Sequence, residues 1–576
     1  MKNYEEATAF LGQWGRFQQV NFFLLCASAV QNGLTVFVVV FMAATPRHHC
    51  LIPDGNLTRE WISVAIPTES VNGQQELSKC SRYRLDVIQN LSDQGLLPGR
   101  DVNVTELERE NCLNGWNYSK DFYQSTIVTE YDLVCSDQWK QPLTATVFFF
   151  GVLIGSFLAG QLSDKFGRKV VLFLALALQS VAVLLQIFSP SWTVFCIFFF
   201  MNGLGRSSSY NAGFVLGTEI LTGRVRVLFS SMAMCVGFAI GYMLLPLFAY
   251  LLREWKFLLF AIFLSGLMYL PLWWVIPESP RWLLSQGRVE EAEAIVKKAS
   301  KSNKVEAPQL IFEDYSVYGV TRKGHPMGHH NMLHLLKTTN IRNITFILSL
   351  TWFTISTAYY SLSLNTSELH ADPFLSCFIS AAVEIPAYIC IWLALRYLRR
   401  RFCLLCILFL GAASLFLIRL IPEDLSYLSL SLEMLGKFAI TGGTSMMYAY
   451  VSELYPTVLR NTATGTCSIS PRVGVCIAPF LFKLKIYSQH LPYIVLGTLA
   501  VLSAIAAYFL PETYGKPLPQ NIQDMSTCKR SASGRERTNE KLGKNAFPEQ
   551  RRGTSLLRTA RRWSRRRREN GVNVCV

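Results

Sequence analysis

The stretch Glu219-Ile-Leu-Thr-Gly-Arg-Val-Arg226 places an acidic and a basic residue at its two ends, directly after a long apolar run. The same spacing recurs in the second half of the chain as Glu453-Leu-Tyr-Pro-Thr-Val-Leu-Arg460. Pro277-Glu-Ser279 recurs as Pro511-Glu-Thr513, displaced along the chain by the same offset as the Glu/Arg pair. Charged residues repeated at one fixed offset, with mostly apolar sequence between them, indicate a duplicated membrane unit.

The composition is typical of a membrane protein. Of the 576 residues, 51% are hydrophobic and 16% are charged, and the mean hydropathy is +0.26. Soluble domains usually carry about 25% charged residues, and runs of about 20 apolar residues can cross a bilayer as helices. Twelve such runs lie at 20–42, 143–162, 170–189, 192–215, 227–250, 256–276, 342–362, 374–395, 403–421, 427–451, 463–482 and 491–510. The predicted fold is an all-α polytopic membrane protein with twelve transmembrane helices in two six-helix bundles.

The basic residues of the short loops predict the orientation, because cytoplasmic loops are enriched in Lys and Arg. They collect on one side of the predicted spans: Lys165, Arg168, Lys169, Arg224, Arg226, Arg396, Arg399, Arg400, Arg401 and Arg460. An even number of spans puts both termini on that side, so both are predicted to be cytoplasmic. The first run has no small-residue cleavage site and is predicted to be an anchor.

The predicted organisation has five parts. They are a cytoplasmic N-terminus (1–19), an N-terminal six-helix bundle (20–276) that includes a large extracellular loop (43–142), a cytoplasmic central loop (277–341), a C-terminal six-helix bundle (342–510) and a cytoplasmic tail (511–576). Residues 526–576 hold 15 Lys and Arg but 4 Asp and Glu. The tail is therefore predicted to be disordered after about residue 525 and attracted to anionic lipid. Val574-Cys-Val576 weakly resembles a ligand of PDZ-type domains; the alternative is a tail without function.

Segment 43–142 carries independent signs of a location outside the cytoplasm. Cysteines pair in oxidising compartments, and Asn-x-Ser/Thr sites are glycosylated in luminal or extracellular loops. The cysteines of this segment are Cys50, Cys80, Cys112 and Cys135. The glycosylation sites are Asn56, Asn90, Asn103 and Asn117. Two disulfide bonds are predicted, and three pairings remain open.

The loop between the second and third predicted spans reads Gly160-Gln-Leu-Ser-Asp-Lys-Phe-Gly-Arg-Lys169. Gly167 permits a tight turn, and Asp164 can hold a helix end or a basic partner by charge. The counterpart at the fixed offset, 394–403, keeps only basic character, so this charged clasp is predicted to differ between the halves. The loop resembles the signature of the major facilitator superfamily, which implies a carrier of two membrane halves.

Charged residues at the helix ends are predicted to form a conformational gate. Exposed salt bridges are worth about 0–1 kcal/mol, which suits contacts between the two bundles that must open and close. The alternative is a set of solvated helix-end charges. The predicted gate residues are Asp164, Arg168, Glu219, Arg226, Glu453 and Arg460.

Further motifs are similar to those of solute carrier family 22, and in particular to its organic cation/carnitine transporter subgroup, over about residues 1–525. They are Tyr4–Trp14 (YEEATAFLGQW), Thr126–Tyr131 (TIVTEY), Gly241–Tyr250 (GYMLLPLFAY), Pro277–Arg288, Val383–Tyr388 (VEIPAY), Ser452–Arg460 and Pro511–Pro519. The resemblance implies a plasma-membrane secondary transporter of carnitine-like zwitterions and organic cations that works by alternating access, with sodium as a coupling ion. One alternative is a sodium-independent facilitator or exchanger of organic cations or anions. Another is a non-transporting sensor or trafficking partner.

Ionisable residues inside a membrane span are costly and usually functional. Arg472, in the eleventh predicted span, can bind a carboxylate through two parallel hydrogen bonds. Carnitine-type relatives have Arg at this position, so the resemblance implies a carboxylate on the substrate. The alternative is a structural ion pair of Arg472 with Glu384 or Glu433.

Aromatic rings in the spans are candidates for binding an ammonium group, since each cation–π contact is worth about 0.5–2 kcal/mol. For each ring taken alone, packing between helices is the alternative. Glu384 is either a charge in the cavity or a buried structural partner. With Arg472, the predicted substrate site consists of Tyr210, Tyr242, Tyr359, Tyr360, Tyr448 and Glu384.

Asn32 and Arg206 are the residues predicted for ion coupling. Relatives of the carnitine type usually have Gln at the position of Arg206, and a cation there opposes sodium unless it pairs or turns away. The string Gly217–Arg224 lacks the Lys and Ser/Thr of a phosphate-binding loop, so no nucleotide cofactor is predicted. The sequence has neither the paired carboxylates nor the nucleophile–base spacing of an enzyme, and it predicts neither a metal site nor nucleic acid binding by the folded part.

Overall fold

The computed structural model describes residues 4–53, 57–71, 74–308, 311–312, 339–368, 372–422, 425–455 and 467–514. Long helices follow the twelve predicted runs, although residues 463–466, where the eleventh run begins, lie outside the described residues. The helices are α1 (Arg16–Met42), α2 (Lys140–Phe166), α3 (Arg168–Ile187), α4 (Trp192–Ile220), α5 (Gly223–Leu252), α6 (Trp255–Trp274), α7 (Thr339–Leu364), α8 (Pro373–Tyr397), α9 (Arg400–Leu420), α10 (Ser426–Leu454), α11 (Ile469–Leu481) and α12 (Leu491–Ala507).

The helices differ in polarity. Within the described ranges, seven are long and apolar enough to cross a membrane, namely α1, α2, α3, α5, α6, α8 and α9. Helix α12 is apolar but shorter. Helices α4, α7 and α10 are long but more polar, and they bury many hydroxyl and charged side chains. Buried polar groups need hydrogen-bond partners. The buried polar residues of these three helices therefore indicate that the interior of the bundle is polar.

The helices form two equivalent groups. Helices α1–α6 pack among themselves, and so do α7–α12. The pairs α2–α4 and α1–α5 of the first half correspond to α8–α10 and α7–α11 of the second. Gly33 of α1 and Gly241 of α5 permit close packing, because a Cβ on either would collide with the backbone of the facing helix. The halves meet along α5–α8 and α2–α11, two contacts that the internal repeat relates to each other.

The described residues of 43–139, here called the disulfide segment, form a small folded unit at one end of the bundle. Three antiparallel pairs make up its strands: β1 (His48–Cys50) with β6 (Trp116–Tyr118), β2 (Thr68–Val71) with β3 (Gln74–Leu77), and β4 (Ser81–Tyr83) with β5 (Arg109–Asn111). Helices Arg59–Val64 and Leu85–Asp93 bury Trp61 and Ile88 against these strands. We call this end of the bundle the disulfide end and the opposite end, which carries residues 165–169, the basic end.

The structure selects one of the three disulfide pairings: Cys50 is bonded to Cys112, and Cys80 to Cys135. Arg82, which is 1% exposed, holds the unit together. Its guanidinium donates hydrogen bonds to Glu110 (2.9 Å), to the Leu51 carbonyl (2.7 Å) and to Asn114 (2.6 Å). Three glycosylation candidates are exposed, while Asn56 lies outside the described residues; the exposed ones are Asn90, Asn103 and Asn117.

Candidate functional site

A charged cluster fixes the basic end of the first half. The Arg168 guanidinium lies 2.9 Å from the Asp164 carboxylate and 3.2 Å from that of Glu219. Glu278 accepts hydrogen bonds from the backbone N–H of Arg168 (3.0 Å) and of Lys169 (3.1 Å) at the start of α3. The carboxylate thus binds where the helix dipole is positive. Three predicted gate residues therefore meet, but all of them belong to one half.

The second half repeats this cluster. Arg400 lies 3.1 Å from the Glu453 carboxylate, and Glu512 accepts hydrogen bonds from the backbone N–H of Arg400 (2.9 Å) and Arg401 (3.2 Å). The predicted loss of the clasp in this half was therefore wrong in part. The offset between Arg168 and Arg400 is slightly shorter than the offset between Glu219 and Glu453, so one fixed offset misaligned the loops. Only Asp164 lacks an acidic counterpart.

Arg226 does not reach the second half. It pairs with Glu5 at 2.6 Å, and Arg281 pairs with the same carboxylate oxygen at 2.9 Å. These contacts lower the pKa of Glu5, chiefly through the hydrogen bond from Arg281. The predicted salt bridges between the bundles are not found in the described ranges. The ion pairs of Arg168, Glu219 and Glu453 lie within one half, and Arg226 pairs with the N-terminal segment. Arg460 lies outside the described residues.

The centre of the molecule holds an ion pair that the sequence analysis missed. Lys437 of α10 lies 3.3 Å from Glu384 of α8, and neither side chain is exposed. Lys437 also donates hydrogen bonds to Ser380 (2.5 Å) and Tyr242 (3.4 Å). Tyr359 donates to the Glu384 carboxylate at 2.7 Å. The pair is therefore both charge-compensated and hydrogen-bonded, as a buried ion pair must be.

Three rings surround the Lys437 ammonium group. Its Nζ lies 4.6 Å from the Tyr242 ring centroid, 5.4 Å from that of Tyr359 and 5.9 Å from that of Phe37. These distances are within the range of cation–π attraction. Two tyrosines predicted to cage a substrate ammonium thus already contact the ammonium group of the protein itself. Because Phe37 and Tyr242 belong to the first half, the cage joins the halves.

Arg472 is in the middle of the bundle. Its neighbour Ser470 donates a hydrogen bond to the Ser349 carbonyl at 2.6 Å, and Gly474 packs against Phe353; both partners lie midway along α7. Arg472 is half-buried, and its side chain makes no ion pair or hydrogen bond with any residue that the structure describes. The alternative partners are engaged elsewhere: Glu384 binds Lys437, and Glu433 accepts hydrogen bonds from Asn365 and Tyr493.

Arg206 of α4 faces the same region from the first half. It is 6% exposed, and its Nε has no hydrogen-bond partner among the described residues. Its guanidinium lies 5.7 Å from the Phe238 ring centroid and interacts electrostatically with Arg472, Tyr360 and Tyr210. The salt bridges of the described ranges include no carboxylate partner for Arg206. Arg206 and Arg472, one from each half, therefore both lack an acidic partner among the described residues.

Three of the predicted tyrosines lie beside the two arginines. Tyr210 and Tyr360 are half-buried. Tyr448 is 59% exposed even though its ring packs edge-on against Trp352, with centroids 4.7 Å apart. Tyr448 interacts electrostatically with Arg472 and Tyr360.

Asn32 is completely buried in α1 and donates a hydrogen bond to the Ser28 carbonyl at 2.9 Å. Its Oδ1 has no hydrogen-bond partner among the described residues. The structure gives Asn32 no contact with Arg206 or Arg472, so the two predicted ion-coupling residues are not joined directly.

A signal for Lys437 was present in the sequence. The rule that singled out Arg472, a charged residue inside an apolar run, applies equally to Lys437 in the run 427–451. Phe37 and Tyr388, the aromatic residues beside the Lys437–Glu384 pair, gave no comparable signal in the sequence. Tyr388 donates a hydrogen bond to Glu384 at 3.5 Å, but only the fold brings it there.

Several described contacts between the halves lie midway along the helices or toward the disulfide end. Thr146 of α2 donates a hydrogen bond to the Cys476 carbonyl at 3.0 Å, and Lys483 donates to Gln141 at 3.3 Å. Phe41 stacks on Phe374 with centroids 5.5 Å apart. The two charged clusters at the basic end make no such connection within the ranges that the structure covers.

Known proteins resemble this chain along most of its length. The sequence profile of the family described as "Sugar (and other) transporter" matches residues 111–524. The chain is 49% identical over 530 residues to "Organic cation/carnitine transporter 2" of Homo sapiens, which covers 92% of this chain and 95% of that protein. It is 47% identical over 564 residues to "Solute carrier family 22 member 21" of Mus musculus, covering 97% and 99%.

Solved structures show the same fold at low sequence identity. The partially occluded, inward-open conformation of the xylose transporter XylE from E. coli matches with a TM-score of 0.58 and 16% identity. The match covers 87% of this chain and 100% of that one. The prediction of an all-α polytopic membrane protein of the major facilitator fold is confirmed. The chain therefore belongs to the sugar (and other) transporter family of the major facilitator superfamily and, within it, to solute carrier family 22.

Proposed function

We propose that this protein is a plasma-membrane secondary transporter of carnitine-like zwitterions and organic cations, coupled to sodium. In this proposal its two halves rock around a site at the middle of the membrane. The similarity to a protein named organic cation/carnitine transporter 2 supports the substrate class. The separate, equivalent clusters around Arg168 and Arg400 support halves that move as rigid units.

The observation that carries this proposal is Arg472 at mid-membrane depth, which has no ion-pair partner in the described part of the chain. A charge at this depth is costly unless water or a counter-charge meets it. A guanidinium group presents two parallel N–H donors that match a carboxylate. We therefore assign the substrate carboxylate to Arg472.

The ammonium group of the substrate is assigned to the tyrosines beside Arg472. Tyr210, Tyr360 and Tyr448 are the accessible rings, and each can contribute about 0.5–2 kcal/mol by cation–π attraction. An inner layer around Lys437 consists of Tyr242, Tyr359 and Glu384. In this proposal these residues act on the substrate indirectly, through their contacts with Lys437.

Uptake of labelled carnitine into cells expressing the protein tests the assignment. We expect Arg472→Ala to abolish uptake and Arg472→Lys to retain part of it, because Lys keeps the charge but not the two-pronged geometry. Arg419→Ala, an exposed arginine at the end of α9, is the control. Undiminished uptake by Arg472→Ala would remove Arg472 from the site. Surface expression without flux for cations, zwitterions and anions would favour a sensor or trafficking partner.

A second candidate is a sodium-independent facilitator or exchanger, and Arg206 favours it. Sodium binds oxygen ligands, and a buried guanidinium nearby raises the energy of any cation in the same cavity. Replacing sodium by N-methylglucamine in the uptake medium separates the two candidates. Loss of uptake supports sodium coupling, whereas unchanged uptake supports the second candidate.

We further propose that both termini are cytoplasmic and that the disulfide segment is extracellular. The exposed Asn90, Asn103 and Asn117 support this orientation, since glycans are added only on the extracytoplasmic side. Each Asn→Gln change should remove one glycan that a glycosidase can release. A protein that reaches the cell surface without glycans would contradict the orientation. A PDZ-type partner at Val574–Val576 remains a proposal, because these residues lie outside the described ranges.

A further inference from the structure

We infer that Glu433 of α10 is a proton-binding site, and that the proton held there decides whether Lys437 stays in the aromatic cage that joins the two halves. The inference rests on the proposed function in one respect, namely that the halves move against each other during transport. It goes beyond that function because it adds a proton to the species that the carrier binds and names the contact that this proton controls.

The first support is the environment of the Glu433 carboxylate. The side chain is 0% exposed, and it forms no salt bridge with any residue that the structure describes. Its Oε1 accepts a hydrogen bond from Asn365 Nδ2 and its Oε2 accepts one from the Tyr493 hydroxyl, both at 3.1 Å. Both donors are neutral, and a buried carboxylate without a cation in contact is costly in its ionised form. Protonation removes that cost, and the Tyr493 hydroxyl can then accept instead of donate.

The second support is a hydrogen-bonded connection from Glu433 toward the disulfide end. The Lys485 ammonium group donates a hydrogen bond to Asn365 Oδ1 at 2.9 Å, so one amide separates this ammonium group from the carboxylate. Lys485 is half-buried, and Tyr487 beside it is 82% exposed. The segment lies at the disulfide end, where Lys483 contacts the start of α2. The ammonium group stabilises the ionised form of Glu433 in part, so both charge states of the carboxyl group are accessible.

The third support is the position of Glu433 relative to Lys437. The two residues are one turn apart in α10 and lie on the same face of the helix, and their charges interact electrostatically. Lys437 nevertheless contacts Glu384 of α8 at 3.3 Å and forms no salt bridge with Glu433 in the described ranges. Two carboxyl groups thus compete for one ammonium group. The observed arrangement is the one expected when Glu433 carries a proton.

Loss of that proton would weaken the contact between the halves. An ionised Glu433 attracts Lys437 away from Glu384 and from Tyr242 of the first half, whose ring centroid lies 4.6 Å from the ammonium nitrogen. The cage would then lose its cation and the cation–π attraction that goes with it. The turn Asn365–Glu368 also packs against the end of α1, so a change at Glu433 reaches the first half by a second route. The ionised state therefore favours separation of the halves, and the protonated state favours the arrangement seen here.

The other neighbours of Glu433 do not supply a second counter-charge. Helix α9 brings the neutral hydroxyl of Ser414 beside Gly436, and Arg419 at the end of α9 is exposed. The groups that face Glu433 from the remaining elements are Asn365 of the turn after α7, Tyr493 of α12, Lys485 of the segment after α11, and Lys437 with its partner Glu384 of α8. Among the described residues, Glu433 is thus the carboxyl group of this region whose charge no ion pair fixes.

Cysteine labelling on intact cells tests the inference without requiring transport. Cys377 is a buried free cysteine one turn before Ser380, which accepts a hydrogen bond from Lys437 at 2.5 Å. Its thiol should become accessible to a membrane-impermeant maleimide when the cage opens, and mass spectrometry of the Cys377 peptide measures the labelling rate. Because thiol reactivity itself rises with pH, the rate is divided at each pH by that of Glu433→Gln, which mimics the protonated form.

This ratio should be close to one in acid and should rise with external pH, by at most about tenfold per pH unit because one proton is involved. Glu433→Asp keeps a carboxyl group and should retain a rise. Glu60→Gln, which removes an exposed carboxylate of the disulfide segment, is the control and should follow the wild type. A ratio that stays constant between about pH 5 and pH 8 overturns the inference.

Lys485→Met supplies an independent test. Removing the ammonium group disfavours the ionised form of Glu433, so the rise in labelling should move to higher pH than in the wild type. An unchanged position or a move to lower pH would overturn the inference. If Glu433→Gln does not reach the cell surface, the comparison of Lys485→Met with the wild type decides the question alone. Neither labelling result depends on carnitine, so a failure of the proposed substrate remains distinguishable from a failure of the proton site.

Discussion

Lys437 and Glu384 form an ion pair at 3.3 Å with no exposure to solvent on either side chain. The pair lies within the second half, but Tyr242 and Phe37 of the first half complete the cage around the ammonium group. An aromatic cage with a carboxylate is the arrangement that binds free ammonium ligands. Here a lysine of the protein occupies it, so the cage links the two halves at the centre of the bundle.

Removing Lys437 should destabilise the protein strongly. Lys437→Met leaves the buried Glu384 carboxylate without a counter-charge, which costs about 3–5 kcal/mol. We expect a large fall in the thermal-unfolding midpoint of the purified protein. Lys437→Met combined with Glu384→Gln should recover much of that loss, because the double variant removes both charges.

The matched control is Lys256→Met, which breaks the ion pair of Lys256 with Glu130 at 2.7 Å. That pair is partly exposed, with side chains 40% and 32% accessible, so its loss should cost about 1 kcal/mol or less. If Lys437→Met were no more damaging than Lys256→Met, the buried pair would not have the role assigned to it.

The clusters around Arg168 and Arg400 should contribute equally. Each arginine is mostly buried, binds a glutamate of the same half and starts a helix that a second glutamate caps. Arg168→Gln and Arg400→Gln should each lower the unfolding free energy by about 1–3 kcal/mol. Arg288→Gln, in an exposed pair with Glu291, should have little effect. Thermal unfolding measures all three, and a silent Arg400→Gln would contradict the equivalence of the halves.

The disulfide pairing can be read directly by mass spectrometry. Non-reducing proteolysis should release peptides that join Cys50 to Cys112 and Cys80 to Cys135. Either of the other two pairings would contradict the structure. Replacing both cysteines of one bond by alanine should cost about 2–5 kcal/mol, and Cys403→Ala, a buried free cysteine, is the control.

The contacts of Glu5 predict a pH dependence. Hydrogen bonds from Arg281 and Arg226 lower the pKa of Glu5 below its ordinary value of 4.5. The stabilisation is therefore fully present above the ordinary pKa and is lost as the pH falls through the lowered one. The difference in unfolding midpoint between wild type and Glu5→Gln should be constant near pH 7 and shrink below about pH 4. Because Glu5 is 39% exposed, the difference should correspond to less than about 1 kcal/mol. A difference that grows on acidification would contradict this contact.

The sequence predicted the elements whose cause is local. Apolar runs of helical length, basic loops and a repeat of charged residues depend on the side chains of one segment at a time. These local patterns predicted the twelve helices and the two halves, and they carried the family resemblance. The same local rule flagged Arg472 and applies to Lys437. It failed where a loop changed length, as between Arg168 and Arg400, because even a small change in loop length breaks a fixed offset.

The tertiary structure decided which groups meet. Whether Glu384 pairs with Arg472 or Lys437 depends on how α8 and α10 rotate against each other, and no single segment encodes that rotation. The same holds for the pairing of Cys50 with Cys112. Sequence alone thus determined a two-half membrane carrier of solute carrier family 22. The packing of its helices decided that the central cation, Lys437, is neutralised by Glu384, because buried charges must find partners across helices.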